Sequence, residues 1–216
     1  MMTRLPLTIA LTLLTNAAQA QDRSFALTLG DRQIGTLAFA GSGANASLLS
    51  TLDNTPLGVA DGTFQAAATA SGDTVGYQGA NRGSKTRDIA YARTGGTVTT
   101  VTVMPADDMT DLSVATAVPA GTLTPPEVFG QLANGTTCPN PMALYDGRRV
   151  AQIATTAMAD AGGTVTCDIS YRVVLGKGHL SPFNFKSLAM QAEYRGGAFA
   201  RLTVSAGGFD VNILAQ

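Results

Sequence analysis

The stretch TRDIAYARTGGTVTTVTVM, residues 86–104, decides the fold. Thr97 to Met104 is almost wholly β-branched, the composition that fits a pleated, half-buried surface. Thr86 to Arg93 reads as a second strand, and Gly95-Gly96 between the two makes a hairpin turn. A chain that turns this tightly builds antiparallel sheet.

Working upstream, Phe25, Leu27 and Leu29 alternate by twos, Gly30-Asp31 breaks the run, and Ile34, Leu37 and Phe39 resume it, a second hairpin signal. Gly41-Ser42-Gly43 then turns the chain into Ala46 to Leu52, and Thr63 to Ala70 and Thr74 to Gln78 continue the meander. Downstream, strands are expected at Arg148 to Met158, Thr164 to Leu175, Phe185 to Arg195, Phe199 to Ala206 and Phe209 to Ile213, parted by glycine-rich turns. Between the two sets, Thr124-Pro125-Pro126-Glu127 carries a helix start: a capping Thr, Pro at the tolerated first position and Glu three residues on. Val128, Phe129 and Leu132 fall on one side of this short helix, which Asn134-Gly135 ends. The pattern predicts a mainly β protein, a single antiparallel curved sheet or partial barrel with one short helix.

The N-terminus reads as a secretory signal over residues 1–20. Arg4 supplies the charge, Leu5 to Leu14 an apolar run shorter than the roughly 20 residues that span a bilayer, and Ala18-Gln19-Ala20 the small-residue cleavage box. Cleavage there would leave residues 21–216 as one β-rich periplasmic domain, secretion being the alternative destination. No cysteine stands at the cut to accept a lipid anchor, and no later segment predicts a membrane span. With 14 basic against 15 acidic residues, the chain has no broad electrostatic footprint for nucleic acid. Cys138 and Cys167, an even pair in an exported chain, predict a disulfide.

Catalytic signatures are sparse. His179 is the chain's one histidine and no G-x-S-x-G elbow occurs, so neither a hydrolase triad nor a zinc site is indicated, and no cofactor or metal is expected. Asp146, Asp168 and Glu193 are the candidates for a carboxylate pair, although turn aspartates are commonly structural. Gly41-Ser42-Gly43 lacks the strand-to-helix setting of a dinucleotide loop. Asp107, Asp108 and Asp111 lack the spacing of a calcium loop and read as solvated. The most individual segment runs from Cys138 to Arg149. Its Asp146-Gly147 suits a tight turn, and Arg148 and Arg149, beginning a strand, should point to opposite faces. The one facing the concave side would need a bound anion or a carboxylate, and Asp146 is the nearest candidate. Asp146, Arg148 and Arg149 are therefore the candidate binding residues.

A helix begun at a Pro, then Cys138, then Tyr145-Asp146-Gly147-Arg148-Arg149, then Cys167 and Tyr171, resembles the bacterial exported family described as domain of unknown function 3108. Ile34-Gly35-Thr36-Leu37 is similar to that family's N-terminal strand, whereas the short, His-containing stretch after Gly176 departs from its pattern. The resemblance implies a periplasmic antiparallel β domain and no known activity. The expectation is a non-catalytic envelope protein that binds a lipid, a glycan or an envelope partner on a concave sheet face. An envelope hydrolase using paired carboxylates and a structural or assembly factor are the alternatives.

Overall fold

The computed structural model describes residues 22–56, 61–179 and 184–216. The expected signal, residues 1–20, lies outside them. The described residues form β1 (Arg23–Leu29), β2 (Arg32–Ser42), β3 (Asn45–Leu52), β4 (Gly62–Ser71), β5 (Thr74–Arg82), β6 (Arg87–Thr94), β7 (Thr97–Met104), α1 (Pro125–Ala133), β8 (Met142–Tyr145), β9 (Arg149–Ala161), β10 (Thr164–Gly176), β11 (Ser187–Arg195), β12 (Ala198–Ala206) and β13 (Phe209–Ala215). They hydrogen-bond as one antiparallel sheet in the order β7-β6-β5-β4-β3-β2-β1-β13-β12-β11-β10-β9-β8. Two meanders are thus zipped together by the terminal strands, with Phe25 opposite Ala215 and Leu29 opposite Val211.

Bulges bend the sheet. They fall at Leu27/Thr28, Ala92/Arg93, Asp168/Ile169, Val173/Leu175 and Glu193/Tyr194. Each adds twist, so the sheet curls toward a barrel, yet β7 and β8 do not pair. The concave side is the core, where Phe25, Phe39, Tyr77, Ile153, Ile169 and Tyr194 are buried.

Helix α1 begins as the sequence predicts. Thr124 accepts from the Glu127 N–H and Glu127 accepts from the Thr124 N–H, with prolines in the first turn. It is buried on more than the expected side, because Glu127, Gly130 and Ala133 are buried along with Val128, Phe129 and Leu132. The helix is an interior plug. Phe129 meets Phe25 edge-on at 5.3 Å and Phe39 at 5.5 Å. Gly130 lets this happen, since a Cβ there would lie 3.0 Å from the Phe39 ring. The helix's last carbonyls are also taken: Arg23 donates to Ala133 O and Tyr194 to Leu132 O. A cation at a helix C-terminus is favourable. Cys138 and Cys167 are bonded, with Cα atoms 5.5 Å apart, which ties the chain beyond α1 to β10.

Strand β8 is the element the sequence did not announce. Four residues after Asn140-Pro141 are too few for alternation to show, and the strand exists because β9 pairs with it on one side while Leu123 bridges Leu144 on the other. Strand β5 outruns its expected end at Gln78 by reaching Arg82. Gly79 would weaken it, but the Tyr77 phenol lies over that glycine, its ring 3.0 Å from where a Cβ would stand. Phe185 falls short of β11 and pairs with His179 in an isolated bridge.

Candidate functional site

The turn between β8 and β9 carries Asp146, Arg148 and Arg149. Asp146 Oδ1 accepts the backbone N–H groups of Arg148 at 3.0 Å and Arg149 at 2.9 Å, which pins the turn, and Oδ2 lies 2.9 Å from Arg149 Nε. Asp146 is therefore the partner of Arg149. Gly147 makes the turn possible at φ 90°, and a Cβ on it would stand 2.3 Å from Ile89 Cγ2. Gly147→Ala should cost about 2 kcal/mol in urea unfolding. Gly163, at φ +79° with nothing within 4 Å, meets the backbone strain without the collision. Its alanine variant should cost less, and equal costs would show that Ile89 does not matter.

This turn borders the gap between β7 and β8, which an irregular segment fills. Ser113 Oγ donates to Gly147 O at 3.1 Å and Thr110 Oγ1 to Arg148 O at 3.1 Å. Tyr145 donates to Leu112 O, while Tyr91, its ring tilted against that of Tyr145 with centroids 4.9 Å apart, donates to Tyr145 O at 2.8 Å. These side-chain bonds, together with the backbone bridge of Leu123, stand in for the missing strand ladder. At the end of the seam away from α1, Asp108 accepts from Arg87 Nε at 2.7 Å, and its backbone carbonyl accepts from Arg148 Nε at 2.7 Å. The acidic stretch expected to be a solvated loop is in this respect a clasp: the Asp108 side chain is only 16% exposed.

Arg148 reaches the Asp108 carbonyl, whereas the Arg149 charge acts on Tyr171 and His179. Burial, the adjacent Arg87 guanidinium and Arg149 all work against the Arg148 charge. Tyr171 and His179 are bonded, with Oη 2.5 Å from Nε2. Burial, aided by Arg149, pushes the His179 pKa down from 6.5 to about 4. An imidazole whose folded pKa lies below its unfolded one stabilises fully above about pH 6.5 and loses that contribution as the pH falls toward 4. Stability should accordingly drop by about 2 to 3 kcal/mol across that window. His179→Gln should flatten the drop in urea midpoints taken at several pH values, and an unchanged profile would clear His179 of the effect.

Asp146 stands on the β8–β9 turn, whereas Asp168 and Glu193 lie on the paired strands β10 and β11, opposite Gln191 and Thr166 in turn. Asp146 acts electrostatically on the buried phenols of Tyr77, Tyr91 and Tyr171. Asp168 follows buried Cys167 on the opposite, exposed face and accepts from Gln191 at 2.9 Å. Glu193, between the inward Ala192 and Tyr194, is tied to Arg195 and Arg201. No three His, Cys, Asp or Glu side chains converge as a metal site among the described residues. Asp146, Arg148 and Arg149 are neighbours along the chain and stand out in the sequence, whereas the meeting of Arg87 and Arg148 at Asp108 depends on the seam. The only available hint was an acidic run next to the end of a strand.

No family model matches the chain, and no curated protein does. Among solved structures it is similar to a β-barrel-like protein of domain of unknown function DUF1849 from Brucella abortus. That protein is 14% identical, with a TM-score of 0.51 over 93% of this chain and 98% of the other. The likeness is one of fold: a β-barrel-like sheet, here left open between β7 and β8 and filled by a side-chain seam.

Proposed function

We propose that this is an exported cell-envelope protein, periplasmic in location, that binds a lipid, a glycan or an envelope partner without catalysing a reaction. The observation that carries the reading is the rim of the concave face away from α1, where Arg87, Asp108, Asp146, Arg148 and Arg149 come together from three separate parts of the chain. Residues of α1 and of the seam segment pack on the apolar inner face, so we place the ligand at this charged end.

Export is supported by the N-terminal pattern of residues 1–20 and by the resemblance carried by Asp146-Gly147-Arg148-Arg149. The Cys138–Cys167 bond suits an oxidising compartment. The test is fractionation of cells producing the full chain, followed by native mass spectrometry of the purified protein. A processed periplasmic species carrying an added small-molecule mass, or a reproducible crosslinked partner, is expected. An unprocessed cytosolic chain, or a periplasmic one with neither ligand nor partner, would overturn the reading.

A further inference from the structure

The arginines at this rim are not all paired. Asp108 neutralises Arg87 and Asp146 neutralises Arg149, whereas Arg148 has no carboxylate partner among the described residues. Lys85 adds another positive charge near Asp108. Nor is the Arg148 side chain loose. Its Nε donates to the Asp108 carbonyl at 2.7 Å, which holds the guanidinium at one edge, and its backbone N–H donates to Asp146 Oδ1 at 3.0 Å. Its two terminal amino groups make no hydrogen bond among the described residues. A guanidinium held by Nε with its fork free has the donor geometry that matches two oxygens of a phosphate. Arg148 is half-buried, where water screens a charge less than on an open surface. A half-buried guanidinium without an ion-pair partner gains when an anion joins it.

We propose that the free fork of Arg148 forms an oxyanion site that takes a phosphate group. This inference rests on the binding function above and names the chemistry of its ligand. The phosphate could belong to a lipid headgroup or be free in solution, and the Arg148 fork would grip either by the same two N–H···O bonds.

The test follows the side-chain Nε–Hε resonances of the purified protein by NMR during titration with inorganic phosphate, then with vesicles of phosphatidylglycerol and, separately, phosphatidylcholine. Saturable shifts of Arg148 and Arg87 are expected, with Arg148→Gln weakening binding at least tenfold and Arg148→Lys retaining a measurable part. Competition between phosphate and phosphatidylglycerol vesicles would identify a headgroup site, and phosphate binding with no vesicle effect a free-anion site. Absence of saturable shifts with either probe would overturn the proposal, as would shifts confined to exposed lysines or an Arg148→Gln variant that binds unchanged. Should Arg148→Gln fail to fold, the wild-type resonance map and Arg148→Lys decide. A phosphate-free ligand found on the extracted protein would sink this inference while leaving the binding function standing.

Discussion

Replacing Glu127 with alanine is expected to destabilise the protein by about 3 to 5 kcal/mol, which at this chain length means a melting temperature lower by roughly 10 °C. The reason is that Glu127 performs two jobs in one buried place. One carboxylate oxygen lies 2.7 Å from Arg93, and the other accepts the Thr124 N–H at 2.8 Å to close the capping box. Both Arg93 and Glu127 are buried, and Arg93 also donates to Thr122 O. Removing the carboxylate leaves a guanidinium in the core without its counter-charge, which costs more than the pair itself contributes. Two comparisons separate the terms. Glu127→Gln keeps an acceptor for Thr124 but not the charge, and should lose nearly as much as alanine. Arg93→Met combined with Glu127→Gln removes both charges and should recover most of the loss. A double variant no more stable than Glu127→Gln would show that the stranded charge is not what costs the energy.

Changing both Cys138 and Cys167 to serine is expected to cost about 3 to 4 kcal/mol by the loop-closure model, given a separation of 29 residues. The bond reaches from the chain after α1 to β10, so it holds the helix connection against the inner face close to the edge strand β8, which has only four residues. The serine variant should therefore melt roughly 10 °C lower and be cleaved first by protease between α1 and β8. Equal melting temperatures for the parent protein with and without a reductant that demonstrably opens the bond would refute this.

The local elements were well represented in sequence. Alternation placed β1 and β2, the β-branched run with Gly95-Gly96 placed β7 against β6, and Thr124-Pro125-Pro126-Glu127 placed the start of α1 to the residue. These signals are local because a hairpin's turn and the strands beside it are contiguous, and a helix cap closes within four residues. The Asp146 turn was legible for the same reason, with its acceptor and both donors inside four positions. What escaped was contact between distant segments. Nothing near Asp108 says that Arg87 and Arg148 will meet it, and nothing in Met142-Ala143-Leu144-Tyr145 marks a strand until β9 and Leu123 lie on either side.

By itself the sequence determined that this chain makes an antiparallel sheet with one capped helix and a disulfide, since residue period, turn chemistry and cysteine count depend on neighbours or on composition. Only the tertiary structure decided that the sheet stays unpaired between β7 and β8, that the helix goes inside, and that one arginine is left over at the rim. Those outcomes depend on how bulges accumulate into curvature and on which remote side chains the curl brings within reach, and both are properties of the closed shape that no short window of sequence contains.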